Sequence, residues 1–121
     1  MNSLTKPERL CSYGAIRRLF KEGQSGFVYP FRYMFYVEDA AQPEAAILFS
    51  TPKKFHKRAN KRNTIRRRMR EIYRLNKQLL VEPLGNRRIE LALIYSSKTL
   101  HDYKTIEHAL RKSLEQIVAS L

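Results

Sequence analysis

The chain has 121 residues, of which 43% are hydrophobic, and it carries a formal net charge of +13 with a sequence pI near 10.2. This composition predicts a folded chain rather than a disordered one, and the length predicts a single domain over residues 1–121. So large a positive charge indicates a polyanionic partner, either nucleic acid or an anionic membrane surface.

Nothing in the sequence points to export or to a membrane span. No segment is long and apolar enough to cross a bilayer, and the N-terminus lacks the apolar centre of a signal peptide. We therefore expect a cytoplasmic protein. Cys11 is the single cysteine, which argues against an internal disulfide and a cysteine-based zinc site.

The first predicted element is a short helix. Ser12 is a candidate N-cap for a helix over Tyr13 to Glu22, and Gly23 is expected to be its left-handed stop. Three apolar side chains on one face predict packing against a sheet: Ile16, Leu19 and Phe20.

Two strands are predicted next. The aromatic and β-branched run Phe27 to Val37 predicts one strand, and Pro30 indicates either an edge position or a bulge, because proline cannot donate to a ladder. A turn precedes a second, buried strand over Ala45 to Ser50.

The second half predicts a long helix, a strand and a last helix. The helix starts near Arg58 and fades near Leu80, and Arg88 to Tyr95 reads as the third strand. Asp102 is the expected cap of the last helix. The element order α-β-β-α-β-α indicates a small sheet with helices packed on it, and a β-α-β crossover is right-handed by default.

The long helix coincides with the densest charge in the chain. Residues 53–77 contain 12 Lys or Arg and one acid, Glu71. At helical spacing the apolar side chains gather on one side: Ile65, Met69, Ile72, Tyr73, Leu79 and Leu80. A neighbouring face collects polar and basic ones: Asn63, Arg66, Arg67, Arg70, Arg74 and Lys77. The pattern predicts a helix that docks on a core and presents a basic ridge.

Side chains for protein-based catalysis are not grouped in the sequence. His56, His101 and His108 are scattered, and the carboxylates are dispersed without the pairing that two-metal or acid–base chemistry requires. His56 lies among cations, where it is a poor metal ligand and a plausible phosphate donor. The sequence therefore favours a binding protein.

The polyanion is better explained as RNA than as DNA. Arginine makes bidentate contacts with phosphate, and structured RNA offers many close phosphates. DNA readers usually place shorter polar residues among their arginines, of which few are present. The aromatic strand has two faces, one with Phe31, Tyr33 and Phe35 and one with Arg32, Met34 and Tyr36, and either is able to stack unpaired bases or to join the core.

The segment PKKFHKRANKRNTIRRRMREIYRLNK resembles the signature of the bacterial ribonuclease P protein subunit, approximately K-K-x-x-x-K-A-V-x-R-N-R-x-K-R-x-x-R-E. The segment RRLFKEG resembles the first helix of that family and its glycine stop. The third strand, the following loop and the amphipathic last helix resemble the family's ending. The resemblance covers nearly the whole chain.

The resemblance implies a two-layer α-β sandwich of the α+β class with an unusual left-handed β-α-β crossover, contrary to the general default. It also implies that the catalyst is the ribonuclease P RNA, which binds most of the Mg²⁺, and that the protein has no catalytic residue of its own. The protein would bind that RNA and the single-stranded 5′ leader of precursor tRNA. It would assist endonucleolytic removal of the leader, with no DNA or membrane partner.

The family's binding residues are carried over by position in the motif. Those implied to contact the RNA subunit are Arg58, Arg62, Asn63, Arg66, Arg67, Arg70 and Arg74. Those implied to line or flank the leader cleft between the first helix and the sheet are Ile16, Phe20, Tyr33, Phe35, Lys53 and Lys54.

Four departures from the family pattern qualify this assignment. Thr64 stands where the family has the second arginine of R-N-R, and Asn60 where it has valine. Ile16 replaces a common cleft aromatic, and Tyr95-Ser96-Ser97 lacks a basic residue often found after the third strand. A protein-only nuclease and a general RNA-binding module are the alternatives left open.

Overall fold

The computed structural model describes residues 13–121, so Cys11 and the predicted cap Ser12 lie outside the described residues. The elements in chain order are α1 (Tyr13–Glu22), β1 (Gln24–Val28), β2 (Phe31–Asp39), β3 (Glu44–Ser50), α2 (Ala59–Asn76), α3 (Gln78–Val81), a 3-10 turn (Glu82–Leu84), β4 (Arg87–Tyr95) and α4 (Tyr103–Ala119). The predicted α+β class is confirmed, and Asp102 caps α4 as expected by accepting a hydrogen bond from Thr105 N at 2.9 Å.

The single strand predicted over residues 27–37 is two strands. Tyr29 and Pro30 form the turn between β1 and β2, and Val28 pairs with Phe31 across it. Pro30 lacks the N–H that a ladder position requires, so it lies in the turn instead of forming a bulge inside one strand. The described chain therefore has one strand more than the sequence predicted.

The four strands form one sheet in the order β1-β2-β4-β3. Strand β2 pairs antiparallel with β1 and with β4, whereas β3 pairs parallel with β4. Because α2 joins β3 to its parallel neighbour, the predicted β-α-β crossover is confirmed. Its left-handed sense stays a prediction.

Helices cover the two faces of the sheet unequally. The larger core lies under α2, α3 and α4, and it includes Phe31, Tyr33 and Phe35 of β2 together with the odd-numbered residues of β4 from Ile89 to Tyr95. The smaller core lies under α1, where buried Leu19 packs with Ala46 and Ala92. The long helix buries four of its predicted core residues, Ile65, Met69, Ile72 and Tyr73, and α3 buries Leu80. The prediction for Leu79 was wrong, since it is 39% exposed beyond the break at Lys77.

Gly23 ends α1 for a reason other than the predicted left-handed conformation. The φ of Gly23 is not positive, since Gly85, with φ of 62°, is the one described residue that has a positive φ. At Gly23 a Cβ would lie 2.4 Å from Leu19 O and 2.9 Å from Phe35 O, both backbone atoms. Glycine is required there because the chain turns from α1 into β1 in direct contact with β2.

Candidate RNA interface

The charges of the described chain are separated between the two ends of the sheet. At one end the β1–β2 turn, the loop after β3 and the loop after β4 meet, with Ser96 N donating to Pro30 O at 2.7 Å. The segments 24–34, 51–70 and 94–101, which build this end and the adjoining turns of α2, contain no Asp or Glu, and the one acid of the loop after β4 is Asp102, the cap of α4. We call it the basic end.

The acids of the sheet lie at the opposite end, where arginines pair with them. Arg88 contacts Glu38, Glu44 and Glu90 there, and Arg18 of α1 contacts Glu38 and Glu90. The charge of this end is thus largely balanced within the protein, whereas the basic end presents uncompensated charge to a polyanion.

The solvent-facing side of α2 carries the predicted ridge. Arg58, Arg67 and Arg70 are exposed, and Asn63 accepts a hydrogen bond from Arg66 Nη2. Since the opposite side of the helix is buried, these guanidinium groups project from a fixed support. We call Arg58, Asn63, Arg66, Arg67 and Arg70 the α2 ridge.

Two further arginines assigned to RNA binding have partners within the protein. Arg62 Nη1 donates to His56 O at 3.0 Å and to Lys57 O at 2.8 Å, so this side chain closes the loop before α2. Arg74 pairs with Glu71 and is 19% exposed.

Thr64, which replaces an arginine of the family motif, makes a contact within its own helix. Its hydroxyl donates to Asn60 O at 3.0 Å.

The loop between β3 and α2 presents Lys53 and Lys54 at the basic end. Both are exposed, and the ammonium of Lys54 lies 5.1 Å from the centre of the Phe55 ring. His56 was predicted as a phosphate donor, but it is buried, and its Nε2 is 2.8 Å from Ser97 O. This contact links the loop after β3 to the loop after β4.

The space beside α1 forms a cleft that opens toward the basic end. Ile16 and Phe20 lie about 160° and 200° around the helix from Arg18. Because Arg18 reaches toward the acidic end, these two side chains are turned toward the basic end, and Phe20 is 49% exposed.

The floor of this cleft is set by strand register. Met34 pairs with Ala92, and the next cross-strand row joins Phe27, Arg32, Ile94 and Ser50 across all four strands on the same face. We call the space bounded by Ile16, Phe20 and this floor the α1 cleft. A pocket of about 620 Å³ also borders α1, with Ile16, Arg17, Phe20 and Lys21 in its lining.

Tyr33 and Phe35 do not line the α1 cleft. Tyr33 is 6% exposed and donates to Gln116 Oε1 at 2.8 Å, and Phe35 is 3% exposed within the larger core. Strand alternation places them on the face covered by α4, so the prediction that they line the cleft beside α1 is wrong. The face beside α1 carries Arg32, Met34 and Tyr36.

Sequence reasoning missed three side chains of this region. Arg32 and Met34 were placed on one of two possible faces, and only the docking of α1 decides between them. Lys98 is exposed directly after Ser96 and Ser97, the segment that lacks the basic residue of the family pattern. Lys98 would have been identified if the basic residue of the family pattern had been sought one position further along the chain.

Within residues 13–121 no three His, Cys, Asp or Glu residues are grouped as metal ligands. The helices in the described part of the chain also include none long and apolar enough to cross a membrane.

Fold and site together define a small basic α+β protein whose exposed arginines and lysines suit a polyanionic partner. A sequence model of the Ribonuclease P family matches residues 4–118. The ribonuclease P protein component of Porphyromonas gingivalis is 38% identical over 121 residues, covering 98% of this chain and 88% of that protein. That of Chlorobaculum tepidum is 33% identical over 111 residues, covering 80% and 70%.

Solved structures agree with this match. The ribonuclease P protein from Thermotoga maritima superposes with a TM-score of 0.73 at 26% identity, covering 90% of this chain and 96% of that one. The Staphylococcus aureus protein, at 21% identity and a TM-score of 0.68, shows the same fold. The chain belongs to the ribonuclease P protein family. Proteins of this family are components of the holoenzyme that cleaves precursor tRNA in 5′ processing.

Proposed function

We propose that this protein binds the ribonuclease P RNA through the α2 ridge and the 5′ leader of precursor tRNA through the α1 cleft. In this way it assists removal of the leader, while the RNA carries the chemistry. The observation that carries the proposal is the α2 ridge itself, a row of exposed arginines on a helix whose other side is buried in the core.

The α2 ridge suits a folded RNA. Its guanidinium groups project from one rigid helix, so little of the protein has to become ordered when RNA binds. Each phosphate that the arginines neutralise releases counterions. Arg62 contributes indirectly, because it fixes the loop that carries Lys57 and Arg58.

The α1 cleft suits a single strand. An unpaired leader exposes base faces, which stack on aromatic and apolar side chains such as Phe20, Ile16 and Met34, and Arg32 on the floor is placed to meet the backbone phosphates. Lys53 and Lys54 add charge at the open end of the cleft. A mature tRNA lacks this strand, so the contact discriminates precursor from product.

The Mg²⁺ required for cleavage is proposed to bind mainly to the RNA subunit. Phosphate oxygens and waters are the ligands that Mg²⁺ prefers, and an RNA supplies them in number. The protein's contribution is then to lower the free energy of the complex between RNA and precursor through its cationic surface. A cytoplasmic location stays a prediction.

Reconstitution tests the proposal. Cleavage of precursor tRNA by a ribonuclease P RNA at low Mg²⁺ should be strongly stimulated by this protein, with tighter binding of precursor than of mature tRNA. Magnesium-dependent cleavage by the protein without RNA would establish a protein-only nuclease instead. Stimulation without any preference for the leader would indicate a general RNA-binding module.

A further inference from the structure

The basic end of the sheet carries an aromatic strip that begins at the β1 edge of the α1 cleft floor and extends away from it. Phe27 of β1 is 52% exposed and Tyr29 of the β1–β2 turn is 56% exposed, with ring centres 6.3 Å apart. The ring of His101 lies 5.3 Å from that of Tyr29 in an edge-on arrangement. Single exposed apolar side chains are common on proteins, but neighbouring exposed rings form a continuous patch.

Hydrogen bonds hold the strip in place. Tyr29 Oη lies 2.9 Å from Ser97 Oγ and 3.3 Å from His101 Nε2, and Arg68 Nη1 donates to His101 O at 2.8 Å. The hydroxyl edge of the Tyr29 ring is thus fixed while more than half of its residue surface stays open. A ring fixed in this way loses little conformational entropy when a base stacks on it.

The surroundings of the strip favour a polyanionic strand. Phe27 pairs in register with Arg32, which is exposed on the same face, and Lys98 is exposed in the loop next to Ser97. Asp102, which caps α4, is the one acid of the three loops at this end. Rings set among an excess of cations are the arrangement that binds unpaired nucleotides through stacking and phosphate contacts.

The strip also continues the α1 cleft. Phe27 and Arg32 belong to the cross-strand row that forms the floor of the cleft, so a strand lying on that floor reaches Phe27 next. We propose that Phe27 and Tyr29 form a second leader subsite, which stacks unpaired leader bases beyond those held in the α1 cleft. This inference rests on the leader binding proposed above.

Binding of precursors with leaders of increasing length to the reconstituted holoenzyme tests the subsite. For the wild type, affinity should rise with leader length until both subsites are filled. Phe27→Ala and Tyr29→Ala should each reduce the long-leader to short-leader affinity ratio by at least about fivefold. Tyr29→Phe, which keeps the ring, should retain most of the ratio.

Leu79→Ala provides a matched control, because it removes an exposed apolar side chain from α3, away from the strip. It should leave the ratio unchanged. An equal loss for every leader length, or weaker assembly with the RNA subunit, would assign the rings to another partner and overturn the subsite. If wild-type affinity does not depend on the leader at all, the proposed leader binding fails, and the strip's role fails with it.

Discussion

Arg18 Nη2 lies 2.8 Å from Oε1 of Glu90, a carboxylate with 2% of its side chain exposed. The same guanidinium reaches Glu38 at 3.4 Å and lies 4.7 Å from the centre of the Tyr36 ring. Its hydrogen bond to Glu90 raises the pKa of the Arg18 guanidinium. This contact joins α1 to two strands and thereby fixes the side of the helix that carries Phe20.

We predict that Arg18→Met lowers the stability of the protein and weakens its preference for precursor tRNA. The substitution leaves the buried Glu90 with Arg88 as its remaining arginine partner, at 3.5 Å, and an undercompensated buried carboxylate is unfavourable. We expect Tm to fall by about 5 °C. Adding Glu90→Gln to the same chain should restore part of the loss, and thermal unfolding of the four proteins of this cycle measures it. Additive effects of the two substitutions would contradict a direct pair.

Replacing ridge arginines should weaken assembly with the RNA. Arg67→Ala and Arg70→Ala each remove an exposed cation without changing the core, so affinity should fall about threefold to tenfold. The slope of log affinity against log salt should fall by about one for each phosphate that the variant no longer binds. Arg111→Ala, which removes an exposed arginine from α4, is the control of equal charge. An equal effect of all three variants would indicate long-range attraction rather than direct binding.

The elements of the fold follow from local sequence more directly than the site does. The periodicity from Arg58 to Leu80 predicts the long helix and most of its buried side, because packing and charge there agree with the helical repeat. The strand predicted over 88–95 is similarly clear. Pro30 shows the limit, because a proline in an aromatic run is compatible with an edge, a bulge or a turn, and only the pairing of β1 with β2 decides.

The site depends on tertiary relationships that a linear pattern does not contain. Both faces of β2 carry aromatic and apolar side chains, so alternation does not tell which face α1 covers, and Tyr33 and Phe35 were assigned to the wrong one. In the sequence Arg62 is not distinguishable from the other arginines of the basic run, yet its guanidinium donates hydrogen bonds to carbonyls of the preceding loop. Non-periodic loop conformations are not predictable from the helical wheel.

The difference between the two faces of the sheet predicts a large loss of stability for one phenylalanine substitution and a small loss for another. Phe35→Ala should lower the free energy of unfolding by about 3–5 kcal/mol, because it opens a cavity in the larger core. Phe20→Ala should cost under about 1 kcal/mol, since half of the residue is already exposed. Urea unfolding measures both values.

Phe20 and Tyr33, which lie on opposite faces of the sheet, separate function from stability. Phe20→Ala should reduce the preference of the holoenzyme for precursor over mature tRNA and leave RNA assembly nearly intact. Tyr33→Phe, which removes the partly buried hydrogen bond to Gln116, should leave this preference unchanged. Loss of the preference in Tyr33→Phe, with Phe20→Ala unaffected, would place the leader on the other face.

Two glycines should respond differently to substitution. Gly23→Ala places a methyl group against Leu19 O and Phe35 O, so we expect a loss of about 2–3 kcal/mol and a displaced α1. Gly85→Ala meets no atom within 4 Å, and its loss of about 1–2 kcal/mol should come from the positive φ. Leader preference, measured beside unfolding, should fall for Gly23→Ala. An equal effect of Gly85→Ala on that preference would show that lowered stability, not the position of α1, is responsible.

The N-terminus of α4 predicts a pH-dependent contribution to stability. Hydrogen bonds from Thr105 lower the pKa of Asp102 below its ordinary value of 3.8. A carboxyl whose folded pKa is lowered stabilises the protein above its unfolded pKa, and the contribution is lost as pH falls through the folded pKa. Asparagine caps a helix about as well but does not titrate. Asp102→Asn should therefore be less stable than the wild type at neutral pH, and urea unfolding should show the difference shrinking below about pH 4. A difference that stays constant down to the acid transition would mean that the charge of Asp102 does not contribute.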